Sequence, residues 1–160
     1  RRPRSMERQR IEDVESRMGP AAVRRLLGPA LGTTDVAVNY YELEAGDSFG
    51  FGYHRHEAQE EGFYVQQGTA TFETDEGDVA VGSGEVIRFE PGEWQRGTNE
   101  GDQRVVALAI GAPQDGGETE MVRDCPDCGE RTPQTVDWAE DGEALVTLCE
   151  DCGAATGRFE

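Results

Sequence analysis

The two histidines of this chain, His54 and His56, stand two positions apart, and Glu61 follows five residues after His56. On a strand, side chains two apart point to one face. Both imidazoles would then converge, and a carboxylate from the next strand would complete a facial set of two nitrogens and one oxygen. Such a set suits Fe(II), Mn(II), Ni(II) or Zn(II) and leaves positions open for water or a small ligand. Strand alternation places Ser48, Gly50, Gly52, His54 and His56 on one face, and Phe49, Phe51 and Tyr53 on the other. Residues with almost no side chain would leave free volume beside the ion, and the aromatic face would pack into the apolar layer outside that wall. The competing reading is two surface histidines beside a solvated acidic loop, Glu57 to Glu61.

Four cysteines carry a second possible site. Cys125-Pro-Asp-Cys128-Gly and Cys149-Glu-Asp-Cys152-Gly repeat one pattern, with twenty residues between Cys128 and Cys149. This spacing fits a four-thiolate zinc site. Each C-x-x-C loop lets two thiolates converge, and Gly129 and Gly153 permit the tight turn that follows. The alternatives are two disulfides or a thiol redox pair. A cytoplasmic location, which is the expectation here, disfavours disulfides. With all four positions filled by protein, such a zinc would be structural.

Elements must position these groups. Ile11, Val14 and Met18 lie at helical spacing and predict a helix over residues 6–18, ended by Gly19-Pro20. Pro20 opens a second short helix with Val23, Leu26 and Leu27 on one face, stopped at Gly28-Pro29. Arg1 to Ser5, ahead of Met6, are set aside from fold reasoning. From Thr34 the period changes to two. Strands are predicted over Val36–Tyr41, the histidine segment, Phe63–Gln67, Ala70–Thr74, Val79–Val81, Val86–Phe89 and Val105–Ile110, broken by Gly-rich turns. Many short strands at regular spacing indicate a sandwich or barrel. Gly111 to Glu120 reads as a linker, and Ala144–Leu148 as a strand feeding the second cysteine pair.

The segment His54-x-His56-x₄-Glu61-x₆-Gly68 has the form of the first motif of the cupin superfamily. Gly84 through Pro91-Gly92 to Asn99 resembles the second cupin motif in compressed form, with Gln95 where that motif carries a histidine. The resemblance covers residues 34–113. It implies a mainly β double-stranded β-helix (jelly-roll) barrel and a divalent ion on His54, His56 and Glu61. Gln95 would be a weak fourth ligand, or would hold a metal-bound water or substrate. The C-terminal segment is similar to a zinc ribbon, with Zn²⁺ on Cys125, Cys128, Cys149 and Cys152. The expected organisation is an N-terminal helical segment over 1–33, a barrel over 34–113, a linker over 114–121 and a ribbon over 122–160.

Charge narrows the partners. The chain has 33 acids against 15 basic residues, net −18, and every basic residue is arginine. Residues 1–25 carry net +4 and the remainder net −22. Such a surface repels nucleic acid and anionic membrane, and no apolar run approaches membrane-spanning length. The acidic, lysine-free composition resembles that of a halophilic archaeal protein. The ribbon segment is itself net −7, so protein contact or stability is expected of it rather than DNA binding.

Both histidines and all four cysteines are taken up by the two sites, which leaves no catalytic triad. A metal-binding cupin acting on or binding a small polar or aromatic molecule follows, as a dioxygenase or an isomerase. The alternative is a non-catalytic small-molecule sensor whose ribbon contacts a partner protein. A homodimer is expected, because the N-terminal helices and the aromatic strand faces need cover.

Overall fold

The structure, a computed structural model of the chain, describes residues 6–160. Nine strands build the barrel: β1 Val23–Leu26, β2 Ala37–Leu43, β3 Tyr53–His56, β4 Glu60–Gln67, β5 Thr69–Thr74, β6 Gly77–Gly82, β7 Glu85–Phe89, β8 Gln95–Thr98 and β9 Val105–Ala112. Four more follow: β10 Thr119–Cys125, β11 Glu130–Trp138, β12 Leu145–Cys149 and β13 Ala155–Phe159. All pairings are antiparallel. One sheet has the order β1-β2-β9-β4-β7, and the other β13-β12-β11-β10-β3-β8-β5-β6. Among the described residues, no helix is long and apolar enough to cross a membrane.

The core lies between the two sheets and is built on aromatic rings. Phe49 stacks on Phe72 with centroids 5.7 Å apart. Phe63 packs 5.0 Å from both, and Phe89 lies 5.5 Å from Phe72. Tyr41, Leu43, Val65, Val105 and Ala107 close around them, all buried. Each fully buried Phe or Val contributes about 1.5–3 kcal/mol relative to exposure, so this cluster is what holds the barrel shut.

The N-terminal helices do not form as expected. Of residues 6–18 only Ile11–Asp13 make a single 3₁₀ turn. The carbonyls a helix would use are taken by a long-range donor: the Arg25 guanidinium bonds to the carbonyl oxygens of Glu12 and Val14. Ser16 pairs with Arg25 as an isolated bridge. Val23–Leu26 is not helical but a strand, β1, paired with Asn39–Glu42. Among the described residues the one α-helix, α1, spans Leu27–Leu31. Tertiary pairing overrides a weak local preference here.

The predicted linker is shorter than expected. From Thr119 the chain is already in β10, which pairs with β3 as Thr119↔His56, Glu120↔Arg55, Met121↔His54 and Val122↔Tyr53. β10 then continues into the cysteine segment, so the barrel sheet and the ribbon strands form one hydrogen-bonded surface. A ladder of rings fixes the joint. Tyr53 stacks on Trp94 at 5.3 Å, Arg131 lies over Tyr53 and Arg55 over Trp94, each at 5.0 Å. Arg131 also pairs with Glu73 at 3.0 Å.

Candidate metal centre

β3 begins only at Tyr53, and residues 49–52 are irregular, so strand alternation does not extend through them. The three aromatic residues expected on one face therefore separate. Phe49 enters the barrel core, Phe51 meets Phe159 of β13 edge-on at 5.2 Å, and Tyr53 lies on Trp94. The two glycines also differ from expectation. Gly50 lies against the His54 ring: a Cβ there would meet Cε1 at 3.1 Å. Gly52 does not clear the site. A Cβ on it would fall 2.7 Å from the Val122 carbonyl and 3.0 Å from Met121 Cγ, so its bareness lets β10 approach β3.

Within β3 the period of two holds. One ligand atom from each of His54, His56 and Glu61 lies within 4.8 Å of the others, and the imidazole centroids are 5.1 Å apart. Glu61, from β4, comes within 3.3 Å of His56 Nε2. Each ring is oriented from behind. His54 Nδ1 lies 2.8 Å from the Gly52 carbonyl oxygen, which must accept from it. His56 Nδ1 lies 3.1 Å from the Thr119 hydroxyl oxygen of β10. Both Nδ1 atoms are thus engaged, which leaves the Nε2 atoms as the free ring nitrogens, and that of His56 faces the Glu61 carboxylate. That pattern is how imidazole ligands are fixed in tautomer and direction around a metal. Burial pushes the His54 imidazolium below its ordinary range, with His56 acting in the same direction. Burial thus favours the neutral imidazole of His54, the form that ligates.

Gln95 sits opposite His54 across the β3–β8 pair and is 1% exposed. Its Nε2 donates to Glu61 Oε1 at 2.7 Å. Its Oε1 is buried with no hydrogen-bond partner, an arrangement that costs about 1–3 kcal/mol unless something fills it. The side chains of His56 and Glu61 keep 21% and 14% of their surface exposed, so the centre opens to solvent. The donor set fits a divalent ion: two imidazoles, one carboxylate and a buried amide oxygen left over.

The remaining residues of the motifs hold backbone rather than ligand. Asn99, 1% exposed, donates to the carbonyls of Leu43 and Gln103 and accepts from Gly101 N–H. Gly68 has φ 77°, and a Cβ there would strike the Arg104 carbonyl at 2.6 Å. Sequence reasoning missed Thr119, which lies in the segment read as linker, 63 residues from His56. The only signal for it is chemical: a ligating imidazole needs a partner on its second nitrogen.

The four cysteines converge as predicted from their spacing. Their sulfurs all lie within 4.8 Å of one another, with Cys125–Cys152 at 3.5 Å and Cys128–Cys149 at 3.9 Å. Gly129 and Gly153 adopt φ 73° and 79°, and their amides donate back to the carbonyls of Cys125 and Cys149. The Thr132 hydroxyl, 2.9 Å from Cys149 Sγ, draws that thiol down to about 6, toward the thiolate that binds metal. Around the sulfurs the ribbon interior is polar. Thr132, Gln134 and Thr147 are buried and hydrogen-bonded, with Thr156 bridging Gln134 and Thr147. A segment with so small an apolar core fits dependence on a metal.

A shallow cleft of about 280 Å³ lies on the other side of β8 from Gln95, lined by Thr71, Glu73, Asp78, Arg96, Thr98 and Glu100. It holds none of the candidate ligands.

Comparison with known proteins agrees with this geometry. Residues 39–111 match the family described as Cupin domain. Among solved structures, the polyketide cyclase RemF from Streptomyces resistomycificus aligns at 25% identity and TM-score 0.63, over 76% of this chain and 89% of its own. A Klebsiella pneumoniae protein with a double-stranded β-helix domain aligns at 16% identity and TM-score 0.60, over 73% of this chain and 92% of its own. A cupin-superfamily sugar phosphate isomerase from Silicibacter pomeroyi aligns at 23% identity and TM-score 0.53, over 83% of this chain and 74% of its own. No curated protein matches the chain. With its jelly-roll topology and its two-histidine, one-carboxylate cluster, the barrel has the double-stranded β-helix fold, and its residues 39–111 are similar to the Cupin domain family.

Proposed function

We propose that the barrel holds one divalent transition ion, Fe, Mn, Ni or Zn, on His54, His56 and Glu61, and acts on or binds a small molecule there. The observation that carries this is the convergence of the three ligand atoms within 4.8 Å, with both histidines oriented through their second nitrogens. A bound ion would supply Lewis acidity, or redox chemistry if it is iron or manganese. The chain's own part is positional. Glu61 is held by the Gln95 amide, and the free Gln95 Oε1 offers an acceptor for a hydroxyl or a water beside the ion. The phenyl rings of Phe49, Phe63, Phe72 and Phe89 fill the centre of the barrel, so the ligand is small and enters at the exposed side of His56. The likeness to a cyclase at 25% identity supports small-molecule chemistry; an isomerase or a dioxygenase is the reading we favour.

A second ion, structural Zn²⁺, is assigned to Cys125, Cys128, Cys149 and Cys152. The net −7 of that segment favours a protein partner, or plain stability, over nucleic acid. The alternative to an enzyme is a sensor that binds its ligand in the barrel and contacts a partner through the ribbon.

The deciding experiment counts metal per chain by elemental analysis in wild type, His56→Ala and Gln95→Ala. Two ions in wild type, one in His56→Ala and two in Gln95→Ala support the ligand set. One ion in all three overturns it. Oxygen consumption and isomerisation assays over small phenols, thiols and keto-enols then separate enzyme from sensor.

A further inference from the structure

Arg24 and Arg25 are adjacent in β1, so their side chains leave the strand on opposite faces. Arg25 faces away from the core, and its guanidinium is taken up by the carbonyls of Glu12 and Val14. Arg24 stands opposite Tyr41 in the β1–β2 register, and Tyr41 is a buried member of the core. Arg24 therefore faces the barrel interior. It is half-buried and, among the described residues, pairs with no carboxylate. The chain has 33 acids for its 15 arginines, so an inward arginine without an acid is out of keeping with its surroundings. An inward charge can serve to blunt an open sheet edge, but this edge is already covered. Arg17 N–H donates to the Arg24 carbonyl, and Ser16 pairs with Arg25.

Arg24 belongs to a polar set. Arg24 and Asn39 are the hydrogen-bonding side chains around the Tyr41 hydroxyl, and the charge of Glu61 also acts on it. Burial pushes that hydroxyl up from its ordinary value, so it keeps its proton and can donate. Between Asn39 and Tyr41 of β2 and the strand that carries Glu61, β9 contributes only Ala109 and Ala107. No long side chain of the intervening strand separates the set from Glu61. The histidines lie on the same side of the barrel. β6 lies against β4 and β7 at one margin, which leaves β1 and β2 at the margin where β3 and β10 stand in the other sheet. Gln114, just ahead of β10, ties that margin to the Thr33 and Val36 carbonyls just ahead of β2.

A guanidinium with no internal acid, a phenol hydroxyl and an amide form a donor set for an oxyanion, and the planar fork of arginine matches a carboxylate. The charge count selects the carboxylate. One arginine balances one negative charge, whereas a phosphate carries up to about two near neutral pH and would leave the surplus near Glu61.

We propose that Arg24, with the Tyr41 hydroxyl and the Asn39 amide, binds the carboxylate of the barrel's small-molecule ligand, which is therefore a small organic acid. This deepens the proposed function and rests on its reading of the barrel as a small-molecule site.

The test is ligand binding by saturation-transfer NMR and calorimetry at molar salt. The probes are lactate, pyruvate and longer 2-hydroxy and 2-keto acids, with their uncharged amides and inorganic phosphate for comparison. Wild type should bind acids and not their amides. Arg24→Gln should weaken that binding by about 10–100-fold, the loss of a hydrogen bond to a charged group. Tyr41→Phe keeps the ring that meets Phe49 at 5.1 Å and should weaken it by about 3–10-fold; this variant carries the test if Arg24→Gln does not fold. Arg17→Gln, which removes an exposed arginine near β1, should bind as wild type does. The proposal is overturned if wild type binds no acid, if Arg24→Gln and Tyr41→Phe bind acids as tightly as wild type, if the amides bind equally well, or if phosphate is preferred. Metal counted in the same samples separates the two readings. A barrel ion without acid binding removes this proposal alone, whereas Arg24-dependent acid binding without a barrel ion removes the metal reading alone.

Discussion

His56 Nδ1 and the Thr119 hydroxyl oxygen lie 3.1 Å apart, joining the barrel centre to the strand that leads into the cysteine segment. Partners on the second nitrogen of a metal-bound imidazole typically govern affinity by about 10–100-fold. Thr119→Val should weaken the barrel ion by that order, measured by chelator competition, while Thr119→Ser should restore it. Equal losses in both variants would assign Thr119 a packing role only.

Removing one ribbon sulfur should be felt in the barrel. β3 pairs with β8 at a single residue pair, His54↔Gln95, but with β10 at four. β10 ends at Cys125. Cys128→Ser should release the ribbon zinc and also raise hydrogen exchange in Tyr53–His56. Unchanged protection there, with the zinc gone, would show that β10 holds its place without the metal.

Gly52→Ala should destabilise the fold by about 1–3 kcal/mol, the usual cost of forcing atoms into a filled site, because the added methyl group meets the Val122 backbone at 2.7 Å. The midpoint of chemical denaturation reports it. A neutral result would mean that β10 can shift outward freely.

Alkaline pH should weaken the joint between barrel and ribbon. Burial and the hydrogen bond to Asp75 raise the Tyr53 hydroxyl above its ordinary value. The folded state therefore prefers Tyr53 protonated. That contribution is complete below about pH 10, the unfolded value, and is lost as pH rises through the higher folded one. Between neutral and strongly alkaline pH, Tyr53→Phe should lose less stability than wild type. Parallel losses would remove Tyr53 from the account.

Stability should rise from low to molar salt. The acids of residues 26–160 outnumber arginines 29 to 7, and at about 1 M the screening length falls to about 3 Å. A melting temperature indifferent to salt would contradict the expectation.

The two-histidine, one-carboxylate cluster was legible because its grammar is local. His54, His56 and Glu61 lie within eight residues, and period-two alternation from Tyr53 onward does place both imidazoles together. The same alternation failed at residues 49–52, where long-range partners decide the backbone: Phe49 N–H bonds to the Gly97 carbonyl and Phe51 O accepts from Arg123. The N-terminus was misread for the same reason, since Arg25 takes the carbonyls that a helix at residues 11–14 would have used. The cysteine cluster was readable from spacing alone. Its attachment to the histidine strand was not, because Thr119 and Cys125 belong to a pairing that no local pattern signals.

That attachment also sets an order of events at the ribosome. Residues 53–56 leave the exit tunnel long before residues 119–125, and until the later segment arrives β3 has an unpaired edge. Open strand edges invite pairing with other chains. In a nascent protein this one lies beside the histidines, and it is capped only when residues 119–125 have been translated.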